Sequence, residues 1–185
     1  MTRGAVAPER GLVPAADAIA KAGKKRHDDG HLHADEVLES FLAFSSLLDL
    51  LPDTDKPAIR SIDPNVPPLT HARLRKFIAD EFDLAQFGIG QGDRVALLMP
   101  NGPILALAFV AVLTYCSCAP LNSASTLAEI ETDMKNSNTR LVLAMNAEPG
   151  LEELAVSLGI VFVEATPRTD TDMAGLFSVA PASCN

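Results

Sequence analysis

From residue 34 onward the apolar positions follow two periods in turn. Val37, Leu38, Phe41, Leu42, Phe44, Leu47, Leu48 and Leu51 recur at helical spacing and give a broad apolar face, which Pro52 and Asp53 end. The stretch 58–62 reads as a short strand, followed by turn chemistry at Asp63, Pro64, Asn65, Pro67 and Pro68. A second helix is expected over 70–87. Thr70 is its N-cap, Leu74, Phe77, Ile78, Glu81, Phe82 and Ala85 trace its inner edge and flank, and Gly88 stops it.

After Gly88 short apolar runs alternate with helical segments. Strands are predicted at 95–99, 116–121, 141–145 and 160–163. Helices are predicted at 103–114, 126–136 and 149–158. Pro103 lies in the first turn of the first of these, where a missing N–H costs nothing. Thr126 and Glu129 form a capping box at the second. Gly159 closes the third. Strand–helix alternation with short connections implies parallel strands joined by right-handed crossovers. The fold class is therefore α/β, a mostly parallel sheet flanked by helices. Residues 1–33 read as a mobile leader, 34–164 as the α/β domain and 165–185 as an irregular tail.

Composition narrows the picture. An apolar fraction of 48% with 21% charged residues fits a globular chain, and 5% aromatics with no Trp makes its core aliphatic. A net charge of −9 repels phosphate backbones, which argues against nucleic acid as a partner. The basic cluster Lys24-Lys25-Arg26 runs straight into Asp28 and Asp29 and reads as a solvated linker. No charge occurs between Arg94 and Glu129, but the apolar run from Ile104 to Cys116 is too short to span a bilayer. A buried helix between buried strands accounts for it, and no membrane span is expected.

The three cysteines, Cys116, Cys118 and Cys184, give neither a disulfide framework nor zinc-ligand spacing. Cys116 and Cys118 would share one face of a strand as small core residues. A reducing compartment follows; cytoplasm or peroxisome is the expected location. His27, His31 and His33 sit beside Asp28 and Asp29 in the leader, where nothing holds metal ligands in place.

Gly88, Gly90 and Gly92 look at first like a phosphate loop. A dinucleotide loop follows a strand and opens a helix, whereas these glycines follow a helix and precede a strand. A helix-to-strand turn is expected instead. His71, in the first turn of its helix, is expected at the surface. One position stands out by topology: Asn101 follows the 95–99 strand, at a carboxyl end where open parallel sheets collect ligands. It either contacts a ligand or caps the next helix, and capping is the more ordinary role.

Four segments occur in order: DKPAIRS, LTHARLRKFIADEF, FGIGQGDRVALLMPNGP and LAFVAVLTYCSCAPLNSASTLAEIETDMKNSNTRLVL. Together they resemble the opening subdomain of the AMP-dependent synthetase and ligase family. The LTHARL and CAPLN segments look most like its oxalate–CoA ligase branch. The resemblance covers about residues 55–145 and implies a fragment of an AMP-forming acyl-CoA synthetase. In that family a carboxylate attacks ATP to give an acyl-adenylate, and CoA then displaces AMP, so ATP, Mg and CoA are implied for the complete enzyme.

The family carries this chemistry on a loop ending Pro-Lys-Gly, a Tyr-Gly-x-Thr-Glu segment, a ribose-binding Asp, an Arg and a C-terminal Lys. No position here matches them, so no catalytic, cofactor-binding or metal residue is carried over. The chain alone is expected to be inactive, whether as a fragment, a truncated product or a degenerate relative. A non-enzymatic α/β interaction module is the competing reading. A Rossmann-type nucleotide-binding enzyme is disfavoured by the reversed glycine turn. An apolar face left open where the rest of such an enzyme would pack is expected to drive self-association or docking.

Overall fold

The structure is a computed structural model, and it describes residues 46–170 and 173–181. The leader, the Lys24–Arg26 cluster, His27, His31, His33, Cys184 and the expected boundary at 33–34 lie outside those residues. The chain divides into two compact units, Met1–Pro52 and Asp53–Asn185. Of the first unit, helix α1 (Leu47–Leu50) is described. The Asp49 carboxylate accepts the Ser46 backbone N–H at 3.0 Å, which satisfies one of the helix-start donors.

The second unit begins with a small antiparallel pair, β1 (Pro57–Ile59) and β2 (Leu69–Thr70). Thr70 then caps α2 (His71–Lys76), its Oγ1 accepting the Arg73 N–H at 3.2 Å. Here the structure departs from the expected continuous 70–87 helix. At Phe77–Glu81 the helix widens to a π turn, ends at Phe82 and resumes as a 3-10 turn at Ala85–Phe87. The cause is the spacing of two phenylalanines. Five residues apart on an α-helix they would diverge by about 140°. The i→i+5 bond from Phe82 N–H to Phe77 O stacks them on one side, with ring centroids 5.9 Å apart.

The main sheet contains β3 (Arg94–Leu98), β4 (Ser117–Pro120), β5 (Leu141–Ala144), β6 (Val161–Pro167) and β7 (Phe177–Pro181). Its strand order is β4-β3-β5-β6-β7. The first four strands are parallel, as the alternation predicted. Their connections are α3 (Pro103–Tyr115), α4 (Leu127–Asn136) and α5 (Leu151–Ser157). Because β3→β4 runs one way along the sheet and β4→β5 the other, right-handed crossovers place α3 on one face and α4 on the opposite one.

The strand side chains divide accordingly. Ala96, Leu98, Val142 and Ala144 pack with Ile130 and Met134 of α4 and Leu151 and Ala155 of α5. Their alternates Val95, Leu97, Leu141 and Leu143 are equally buried and turn to the α3 side. The capping box of α4 forms as expected: Glu129 Oε2 accepts the Thr126 N–H at 2.8 Å, and Thr126 Oγ1 accepts the Glu129 N–H.

The expected irregular tail is a second correction. The last parallel strand does not stop at residue 163; it continues to Pro167 and pairs antiparallel with β7 from Val163↔Pro181 to Pro167↔Phe177. Phe177, 2% exposed, completes an aromatic cluster with Phe77 and Phe82 at centroid distances of 5.1 and 6.0 Å. The final described strand is thus pinned to the first helix of its unit, about a hundred residues back in the chain.

Candidate functional site

In a doubly wound sheet the ligand crevice lies where successive connections leave in opposite directions, beyond the strands' carboxyl ends. Here that point falls between β3 and β5. The Met145 N–H donates to Leu98 O at 3.1 Å and zips the two strands up to their ends. Beyond it the chains separate into the 99–102 loop and the 145–150 loop. Asn146 takes a left-handed conformation, φ 53°, which Asn tolerates better than most residues and which bends the backbone sharply away from β5.

Asn101, singled out by topology, sits in this region and is exposed. Of its two roles, the cap is not made: Gly102 is the N-cap residue of α3, with no side-chain cap bond. Asn101 instead lines the end of a shallow groove of about 330 Å3, with Gly102, Leu105, Ala106, Phe109 and Pro120. The groove is walled by one flank of α3 and the end of β4.

That flank is the counterpart of the helix's buried side. Leu107, Ala108, Ala111 and Val112 are fully buried, whereas Phe109 and Leu113 remain 39% and 40% exposed. Ala106, Phe109 and Leu113 recur at helical spacing, so they form one outward stripe. The helix is apolar all round, a composition suited to burial on two sides. The sequence pattern predicts the whole segment as buried, because an uncharged helix carries no amphipathic signal to show which side faces out.

The electrostatics around the crevice are unsuited to a triphosphate. The 145–150 loop carries Glu148, and the first turn of α5 carries Glu152 and Glu153. Carboxylates there already complement the helix dipole and would repel a phosphate. Among the described residues no group of three His, Cys, Asp or Glu side chains converges to hold a metal ion. The described residues at these strand ends therefore do not fit an ATP–magnesium site.

The remaining candidates resolve individually. Gly88 and Gly92 adopt φ 74° and 96° in the link to β3, and the Gly90 N–H donates to Asp93 Oδ2 at 2.9 Å. This is the helix-to-strand turn the reversed order implied, with that amide already used internally. His71 is half-buried rather than at the surface, and its Nδ1 lies out of solvent without a hydrogen-bond partner. The reason is its position: its backbone N–H donates to Lys56 O, which draws the start of α2 against the β1 strand. Cys116 ends α3 and Cys118 lies on β4, both half-buried. Burial, with Asp93 adding to it, pushes the Cys116 thiol up to about 11; burial, with Cys116 adding to it, pushes Cys118 to about 12. Both are thereby held in the protonated form at neutral pH.

An ionic network, which sequence reading did not identify, ties α2 to the β6–β7 connection. Glu81 bridges Arg73 at 2.9 Å and Arg168 at 2.7 Å, and Arg168 also binds Asp170 at 2.5 Å. Burial alone would raise the Glu81 carboxyl, but the hydrogen bonds and charges of Arg73 and Arg168 outweigh it and hold it below its ordinary value. Nearby, the 61–67 turn, the start of α3 and the 168–176 connection enclose an open cavity of about 440 Å3. No described helix is long and apolar enough to cross a membrane.

Comparison with known proteins agrees with this architecture. Residues 83–178 match the family described as AMP-binding enzyme. A probable CoA ligase of Humulus lupulus is 36% identical over 123 residues, covering 63% of this chain and 22% of the relative. The oxalate–CoA ligase of Arabidopsis thaliana is 37% identical over 102 residues, covering 53% of this chain and 20% of its own length. Among solved structures, apo MatB from Rhodopseudomonas palustris superposes with a TM-score of 0.55 at 22% identity, covering 74% of this chain and 29% of that one. The chain thus spans about a fifth of the length of the curated relatives it matches.

Proposed function

Because this chain belongs to the AMP-binding enzyme family, of whose CoA ligases it matches the N-terminal portion, we propose that it serves ATP-dependent activation of a carboxylate. The acid would be converted to an acyl-adenylate and then to a CoA thioester. The observation that carries this reading is the match at 36–37% identity to two plant proteins described as CoA ligases.

On this reading the 185 residues contribute scaffold rather than catalytic groups. The family's phosphate chemistry needs donors and a metal that offset charge developing on the phosphates. The loops that follow β3 and β5 carry Asn101, Asn146 and Glu148 instead, and the sequence contains no Pro-Lys-Gly. Isolated, the chain should not adenylate any acid. Carboxylate-dependent exchange of labelled pyrophosphate into ATP is the direct assay, with oxalate among the acids offered. Exchange should stay at background, and a signal above it overturns the inactivity of this chain alone.

The second reading, a non-enzymatic interaction module, is favoured by the outward stripe of α3. The encoding transcript separates the two: a Pro-Lys-Gly loop in frame after codon 185 supports the ligase, and a stop codon there supports the module. A reducing compartment, cytoplasm or peroxisome, suits both, since Cys116 and Cys118 are free thiols.

A further inference from the structure

We draw no further inference here: the strongest candidate, the cavity between the 61–67 turn, the start of α3 and the 168–176 connection, rests on a helix N-terminus whose neighbouring guanidinium, Arg168, is already held by Glu81 and Asp170, and no second observation there points to a ligand.

Discussion

Replacing Phe177 with Ala tests whether β7 is an integral part of the fold. The ring is 2% exposed and lies 5.1 Å from Phe77 and 6.0 Å from Phe82, themselves 2% and 4% exposed. Truncation removes the transfer free energy of the ring and leaves a cavity that two rigid neighbours cannot fill. Such changes cost roughly 3–5 kcal/mol. With a urea m-value of about 1–3 kcal/mol per molar for a small domain, the midpoint should fall by roughly 2 M. Circular dichroism during urea titration measures this. Ser178→Ala, one residue on and exposed, serves as the control and should barely move the midpoint. A Phe177→Ala midpoint within about 0.3 M of the parent at unchanged m-value would refute the packing of β7 and restore the picture of an irregular tail.

Gly175 has φ 86°, and a Cβ there would meet Pro103 O at 2.7 Å, so Gly175→Ala should cost about 1–3 kcal/mol in the same titration; an unchanged midpoint would show that the connection does not press on α3. Glu81 has a folded-state pKa below its ordinary 4.5, so its contribution is complete above that value and is lost as pH falls through the folded pKa. The parent should therefore lose up to about 1 kcal/mol relative to Glu81→Gln as the medium is acidified below pH ~4.5, and parallel stability–pH curves for the two would contradict the bridging role. Purified chain should show a concentration-dependent rise in sedimentation coefficient at micromolar concentration, through the Phe109–Leu113 stripe, and Phe109→Asp should abolish it. Monomer at every concentration, with no binding of a hydrophobic dye, would count against that stripe as an association surface.

The centre of the parallel sheet was legible because β3 and β5 are buried on both faces and read as short apolar runs between helical ones. Val95–Leu98 and Leu141–Ala144 needed no tertiary information. Strand order was not legible, since periodicity says nothing about which side of β3 each crossover takes. The break after α2 was missed because Leu74, Ile78 and Phe82 recur at helical spacing and read as an ordinary face; the five-residue spacing of Phe77 and Phe82 gains its meaning only when Phe177 packs against both rings. Strand β7 was missed because its alternation, Phe177, Ser178, Val179, Ala180, is short and places one large apolar residue inward. The same holds for Glu164 and Thr166, whose outward polar positions ended the apparent strand early although Ala165 between them is buried. At the strand ends, the capping role expected of Asn101 is not made, because Gly102 takes the N-cap position and Asn101 lies one residue outside the helix start. The outward side of α3 and the Glu81 network depend on contacts between segments far apart in sequence, which no local pattern records.

The aromatic cluster also imposes a schedule on biosynthesis. Phe77 and Phe82 leave the ribosome before Phe177 has been polymerised. At about 5–20 residues per second, the hundred intervening residues take roughly 5–20 s. During that interval Phe77 and Phe82 lack their third ring, and once β6 has been made it is an open edge until β7 follows. Both are surfaces that nascent chains on neighbouring ribosomes can join. The interval ends only when residue 177 has cleared the exit tunnel, so slow codons between α2 and β7 should lengthen the aggregation-prone stage of synthesis.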